Sequence, residues 1–241
     1  MTPPATEQGQ LELEGLSVRY VVRRQSQRRR RLALRVSPSG DVEVRVPQHT
    51  SQYEIDAMLR RHGQWLRSCI EQAVPAPPAP QYRCGDDFSY LGERWQLRVE
   101  PGRGTSIFPE QRLLVIKARD RSPENIRRLF LCWLRDRSRD YFAARLTQLS
   151  ASLPWPQPLP PLRVRAMRSR WGSCSRRGIC LNTRLMKAPP LCIDMVIVHE
   201  LCHIREMNHS SAFYALMDAA MPGWRDASRQ LDALSDQLLV D

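Results

Sequence analysis

The chain has 241 residues, 42% of them hydrophobic, so it is long enough to bury a core without disulfide or metal cross-links. Its 37 lysines and arginines against 25 acidic residues give a formal charge of +12, which favours association with anions but specifies no chemistry. It has no run of about 18 apolar residues and no basic start followed by an apolar stretch, so we expect neither a membrane span nor a secretory signal.

The cysteines indicate the redox environment of the protein, and the arginines bear on which partners it can bind. Seven cysteines are present without the spacing of a disulfide framework, so we expect a reduced, cytoplasmic environment. Nearly all of the positive charge is arginine, including the cluster Arg28 to Arg31. Ordinary solvated surfaces explain this charge, and a surface for nucleic acid or nucleotides is the alternative.

The first third of the chain is predicted to be mainly β-structure. Residues 1–12 are polar and are predicted to form a leader without regular structure. Alternating apolar residues on both sides of the turn at 37–40 predict a hairpin with one buried face. Ser51 is the predicted N-cap of a helix that extends to about residue 73. The segment VPAPPAP at 74–80 is predicted to be a stiff connector.

The middle of the chain is predicted to contain three short strands and one long helix. The strands are expected at 88–91, 95–99 and 113–118, with a turn at 101–104. Ser122-Pro123-Glu124 indicates a helix start, and an apolar stripe continues to about Leu149. We see no internal repeat and expect a boundary between a β-rich region, residues 1–118, and a catalytic region, residues 119–241.

The pattern that predicts chemistry lies in the last third of the chain. A strand is predicted at 164–167, a turn at 171–175 and a returning strand at 178–182, before a helix that starts at Pro189-Pro190. That helix carries the sequence HELCH at 199–203. Positions i and i+4 lie about 40° apart around a helix and about 6 Å apart along it, so His199 and His203 can bind one Zn²⁺ ion. Glu200 can then act as general base.

His209 is the predicted third ligand, although on an unbroken helix it would lie about 15 Å beyond His199. We therefore predict that the helix ends after Glu206 or Met207 and that Asn208 takes a left-handed conformation in the turn. Three histidines would leave a fourth position open for water, as in catalytic zinc sites. Glu206 is the alternative third ligand, but a role in orienting a ligand or at the surface is favoured.

Three cysteines of this region are interpreted as structural. Cys202 is predicted to pack in the core. The spacing of Cys174 and Cys180 matches no common zinc knuckle.

In the region that contains the HELCH sequence, the chain resembles the YgjP-like metallopeptidase family, which is related to the SprT-like and Wss-type zinc peptidases of the zincin class. The matching segments are 170–175, 181–182, 188–190, 199–203 and 208–210, together with Phe213. Segments 31–36 and 90–92 match upstream, and the resemblance extends over about residues 20–238. The metzincin pattern is similar in histidine spacing, but it has glycine where this chain has Glu206.

The resemblance implies zinc bound by His199, His203 and His209, with Glu200 as the catalytic acid and base. The predicted elements together favour an α+β fold in which a β-rich N-terminal half precedes a zincin-like unit, whose small antiparallel sheet covers the metal-binding helix. The last helix is expected at about 224–239.

The leading hypothesis is therefore a zinc metallopeptidase that acts through a zinc-activated water. The candidates for substrate contact are Arg170, Trp171, Gly172, Ser173 and Asn182. Strand 178–182 can offer an edge to an extended peptide, and Arg168 or Arg170 can stabilise the oxyanion. No membrane partner is expected.

Two alternatives remain open. One is metal-dependent hydrolysis of a nucleoside triphosphate or another phosphoanhydride, which the arginines suit but for which the chain has neither a P-loop nor a carboxylate cluster. The other is a basic binding module that associates with nucleic acid.

Overall fold

A computed structural model describes residues 6–13, 15–25, 32–37, 39–73, 80–167 and 170–239. The chain divides into two compact units, Met1–Pro77 and Pro78–Asp241. This division falls earlier than the boundary expected at residue 118, because the strands before that point share their core with the helices that follow. The cluster Arg28 to Arg31, the connector at 74–79 and Arg168 lie outside the described residues.

The first unit is a four-stranded sheet with two short helices. Its strands are β1 (Thr6–Leu13), β2 (Leu16–Gln25), β3 (Ala33–Val36) and β4 (Val42–Pro47), in the order β1-β2-β4-β3. The helices are α1 (Gln52–Arg61) and α2 (Gly63–Glu71). Val44 and its strand neighbours pack against Leu59 and Leu66 of the helices, as the alternating pattern of β4 predicts.

Two predictions for this unit are wrong in detail. Residues 6–12 are not an unstructured leader, because β1 pairs with β2 along its whole length. The single helix predicted over 51–73 is interrupted at His62, which ends α1 and begins α2. Ser51 does cap α1, and its hydroxyl accepts a hydrogen bond from the backbone N–H of Glu54 at 3.3 Å.

The second sheet repeats the topology of the first. Its strands are β5 (Asp87–Tyr90), β6 (Glu93–Glu100), β7 (Gly104–Phe108) and β8 (Leu113–Lys117), in the order β5-β6-β8-β7. In both sheets the two outer pairs are antiparallel and the central pair is parallel. A serine-capped helix follows each sheet, so the structure contains a repeat that is not apparent in the residues themselves.

The remaining helices and strands include the helix that carries most of the HELCH segment. They are α3 (Pro123–Ala151), β9 (Leu162–Arg165), β10 (Gly172–Ser175), β11 (Gly178–Asn182), α4 (Pro190–Cys202), α5 (Ser211–Ala220) and α6 (Trp224–Leu238). The α+β class and the β-rich N-terminal half are confirmed. None of the described helices combines the length and the apolar character needed to cross a bilayer.

The third sheet has the order β10-β11-β9 and differs from the predicted antiparallel sheet. β10 and β11 are antiparallel, but β9 runs parallel to β11, because the chain reverses between β9 and β10 and again between β10 and β11. Residues 172–175 form an edge strand where a turn was predicted, and β11 is the central strand. The strand 178–182 therefore has no free edge for a peptide, whereas β10 has one within the described residues.

Candidate metal centre

Helix α4 places the first two histidines. Pro190 occupies the first turn of α4, and the apolar residues of the helix from Cys192 onward are buried in the core of the second unit, whereas Leu191 is exposed. His199 and His203 lie one turn apart, and their Nε2 atoms are 3.0 Å from each other. The helix ends at Cys202, a turn earlier than the predicted end after Glu206 or Met207.

The chain returns after α4 by a tight turn. The N–H groups of Ile204 and Arg205 donate to carbonyls three residues earlier, which tightens the helix end. The left-handed conformation predicted for Asn208 does not occur. Instead, the carboxylate of Glu206 accepts a hydrogen bond from the backbone N–H of Asn208 at 3.1 Å. The prediction that the chain turns back before His209 is correct in outcome, but the conformation that produces the turn is different.

His209 completes a group of three converging imidazoles. Its Nε2 atom lies 3.2 Å from that of His199. Three nitrogens held tetrahedrally at 2.0–2.1 Å from one ion would be separated by about 3.3 Å, close to the two distances that involve His199, 3.0 and 3.2 Å. Within the described residues, His199, His203 and His209 form the group that can hold a metal ion, and Glu206 is not part of it.

The protonation of these rings also fits metal binding. The Nδ1 atom of His203 lies 3.0 Å from the carbonyl oxygen of Glu206, so Nδ1–H donates there and leaves the Nε2 lone pair free. Burial lowers the pKa of His199 to about 4, and the charges of His203 and His209 act in the same direction. His199 is therefore neutral at pH 7 and can bind a metal without first losing a proton. Three imidazoles are a donor set that suits zinc.

The aromatic ring of Phe213 packs against all three imidazoles. Phe213 is buried in the first turn of α5, and its ring centroid lies 4.9, 4.6 and 4.8 Å from those of His199, His203 and His209. Beyond it, the ring of Tyr214 stacks on that of Trp224 with centroids 5.8 Å apart. Sequence reasoning assigned no role to these rings, although an aromatic pair four and five residues after His209 is a usable signal.

Glu200 is a buried carboxyl group on α4, next in the chain to His199 and about 60° around the helix from His203. The exposed fraction of Glu200 is 5%, and its Oε2 atom has no hydrogen-bond partner among the described residues. Gly172 of β10 packs against it, since a Cβ atom at position 172 would stand 2.5 Å from Oε1. Burial raises the pKa of Glu200 to about 7, while the positive charge of Arg170 acts in the opposite direction. A carboxyl group with this pKa can both accept and donate a proton near neutral pH.

The family profile described as YgjP-like, metallopeptidase domain, matches residues 30–234. The chain belongs to the YgjP-like metallopeptidase family. No curated protein and no solved structure gives a significant match. The histidine group, Glu200 and β10 all lie inside the matched residues. A YgjP-like metallopeptidase is a hydrolase of the metallopeptidase type, so the family implies a metal ion and a peptide or protein substrate.

Asn182 of this YgjP-like protein has a buried side chain that is fully engaged. Its Nδ2 donates to the carbonyl oxygens of Met167 at 2.9 Å and Arg170 at 2.8 Å. Its Oδ1 accepts from the backbone N–H groups of Met167 and Arg184. These bonds fix both described ends of the segment that leads to β10. A direct contact with substrate, as the sequence suggested, would require several of them to break.

The other predicted contact residues are distributed around β10. Trp171 donates from its indole N–H to Ser235 Oγ of α6 at 3.3 Å. Ser173 is half-buried and opposes Cys180, so it lies on the face of the sheet opposite to Gly172. Arg170 is exposed beside the strand. Of the predicted contact residues, two act on Glu200. Gly172 packs against its side chain, and the positive charge of Arg170 lowers its pKa.

The cysteines of this YgjP-like unit are free thiols. Cys202 is fully buried with Val198, Phe213 and Met217, and burial raises its pKa to about 12. It is therefore a core residue, as predicted.

Proposed function

We propose that this protein is a zinc-dependent peptidase in which His199, His203 and His209 hold the metal and Glu200 is the general base. The observation that carries the proposal is the buried carboxylate of Glu200, which stands next in the chain to one of three converging imidazoles. Zinc bound there would polarise a scissile carbonyl and lower the pKa of a water toward about 7.

Glu200 performs the proton transfers in this proposal. Its carboxylate accepts the proton of the attacking water and later donates it to the leaving amine. The buried surroundings of Glu200 raise its pKa to about 7, so the group can change charge in both steps near neutral pH. Gly172 leaves room for the Glu200 carboxylate. Asn182 holds the backbone just before β10 by its hydrogen bond to the carbonyl oxygen of Arg170.

Strand β10 is the proposed binding edge for the substrate. Among the described strands, it pairs with β11 only, so its other edge has backbone groups that can pair with an extended peptide. Gly172 lies in this strand against Glu200, so the peptide would run beside the carboxylate. Arg170, just before the strand, is the proposed group that stabilises negative charge on the substrate.

The test compares wild type with Glu200→Gln after both have been loaded with zinc. Metal content is measured by mass spectrometry, and turnover is measured on a peptide library and on nucleoside triphosphates. We expect equal zinc content and a loss of peptide turnover of about 100-fold to 10,000-fold in Glu200→Gln, the range typical of a lost general base. Peptide turnover that survives the substitution contradicts the proposed role of Glu200. Glu200-dependent cleavage of triphosphates without peptide cleavage would favour the phosphoanhydride alternative, which the arginine beside Glu200 also suits.

A further inference from the structure

The segment around the third sheet has one sign of charge. The chain contains 25 acidic residues, yet none of them falls between Ser152 and Ile193. The same segment contains Lys187 and seven arginines, at positions 163, 165, 168, 170, 176, 177 and 184. The segment that builds β9, β10 and β11 therefore has eight basic residues and no acidic one, as residues 15–40 also have.

Two of these arginines lie on the outer face of the sheet. Leu162 and Val164 of β9 pack against the core of the second unit. Side chains alternate along a strand, so Arg163 and Arg165 point to the opposite face, where both are exposed. Two strand positions separate them, which corresponds to about 6.6 Å along the strand.

Two more arginines lie at the end of the same sheet. Arg176 and Arg177 form the exposed turn between β10 and β11. The first residues of β11 are joined to the start of β9, because the N–H of Ile179 donates to the carbonyl oxygen of Pro161 at 2.9 Å. The turn therefore adjoins the N-terminal end of β9. We call Arg163, Arg165, Arg176 and Arg177 the sheet arginines.

The charge of the sheet arginines is not neutralised within the described residues. No described carboxylate forms an ion pair with any of the four. Exposed basic residues elsewhere do have such partners, for example Arg94 with Asp87 and Arg112 with Glu93. A set of exposed, uncompensated guanidinium groups on a rigid sheet attracts an external anion.

We propose that the outer face of the third sheet binds the phosphate backbone of a nucleic-acid double helix through the sheet arginines. Guanidinium groups match phosphate oxygens geometrically, and several of them on one face require an extended anion. The row Arg163, Cys180 and Ser173 crosses this face without an aromatic side chain. The face thus lacks the stacking platform that single-stranded bases use, so the backbone of a duplex is the better fit. This binding goes beyond the proposed peptidase activity and does not depend on it.

The test measures binding of a fluorescently labelled 20-base-pair DNA duplex to the full chain across a series of KCl concentrations. The variant R163Q/R165Q/R176Q/R177Q removes the sheet arginines. The matched control R94Q/R112Q/K117Q/R229Q removes four exposed basic residues that each pair with a carboxylate elsewhere in the second unit. Circular dichroism and zinc content establish that both variants are folded.

We expect wild type to bind the duplex with an affinity that falls steeply with salt. The sheet variant should bind at least tenfold more weakly, and its slope of log affinity against log salt should be smaller by about 3.6, because each of four phosphate contacts contributes about 0.9. The control variant should stay within about threefold of wild type, and Glu200→Gln should bind like wild type.

Three outcomes would overturn the inference. Equal losses in the sheet and control variants would mean that binding follows net charge and not this face. Tighter binding to a single strand of the same length would contradict the preference for a duplex. Binding to phosphatidylserine vesicles or to polyglutamate, but not to the duplex, would mean that the partner belongs to another class.

Discussion

The carboxyl group of Glu200 on α4 and the backbone of Gly172 on β10 are in direct contact. A Cβ atom at position 172 would lie 2.5 Å from Oε1, 2.9 Å from Cγ and 3.0 Å from Cδ of Glu200. The contact joins the helix that carries His199 and leads to His203 to the edge strand proposed to bind substrate. It also explains why a glycine without a positive φ angle occupies this position: the space is needed, not the conformational freedom.

Replacing Gly172 with alanine should therefore reduce activity without removing the metal. The new methyl group must displace the Glu200 carboxylate, and the three atoms nearest to it all belong to Glu200 and none to a histidine. We expect at least a tenfold loss of kcat on a peptide substrate, because small displacements of a catalytic group are costly. Zinc content should stay at the wild-type value. Gly63→Ala is the control, since a Cβ atom there meets nothing within 4 Å. Unchanged kcat in Gly172→Ala would contradict the role given to this contact.

The identity of the third ligand can be decided by metal affinity. His209→Ala removes one of the three converging nitrogens and should weaken zinc binding by more than about 100-fold, beyond the range usual for groups outside the coordination shell. Glu206→Gln keeps an oxygen that can accept from the N–H of Asn208, so it should change the affinity by less than about tenfold. Competition with a chromogenic chelator measures both. A larger effect of Glu206→Gln than of His209→Ala would make Glu206 the ligand.

The metal-free protein should show the buried carboxyl of Glu200 as a pH-dependent stability difference. The folded-state pKa, about 7, is raised above the ordinary value of 4.5, so the folded state favours the protonated form. The wild type therefore has no penalty below about pH 4.5 and loses stability as the pH rises through 7. At pH 8 the loss relative to the uncharged variant Glu200→Gln should approach about 3 kcal/mol, from 1.36 kcal/mol per unit of pKa. Urea denaturation of both metal-free proteins at pH 5 and pH 8 measures it, and a difference that does not change with pH would contradict the shift.

The 3.6-residue period of an α-helix was enough to predict the part of the site that lies on α4. Helical spacing alone put His199 and His203 on the same side, and the structure confirms it. The turn before His209 was predicted because distance required it. Its conformation was not, because it depends on a hydrogen bond from His203 to the carbonyl of Glu206 and on the Glu206 side chain.

Non-local pairing explains most of what the sequence could not predict. β10 was interpreted as a turn, since its residues GSCS have no apolar alternation and become a strand only by pairing with β11. The parallel orientation of β9 depends on the path of the chain between β9 and β11 and on β10 pairing with the far edge of β11, which periodicity does not report. The contact of Gly172 with Glu200 joins residues that are 28 positions apart and has no local signature.

The ion pair between Arg145 and Asp194 should stabilise the helix that carries the site. Arg145 of α3 donates from Nε and Nη2 to the two carboxylate oxygens of Asp194 on α4, at 2.9 and 2.5 Å. The side chains are 31% and 14% exposed, so solvent screens this bidentate pair less than a surface pair.

Each of the variants Arg145→Ala and Asp194→Ala should therefore lower the free energy of unfolding of the metal-free protein by about 1.5–3 kcal/mol, the value typical of hydrogen bonds to charged groups. The double variant should be little worse than either single one, because the pair is lost once. Arg229 and Asp226 of α6, both 74% exposed, provide the control pair, whose coupling energy should be below about 0.5 kcal/mol. A coupling energy for Arg145 and Asp194 no larger than that of the control pair would mean that α4 is held in place by its apolar contacts alone.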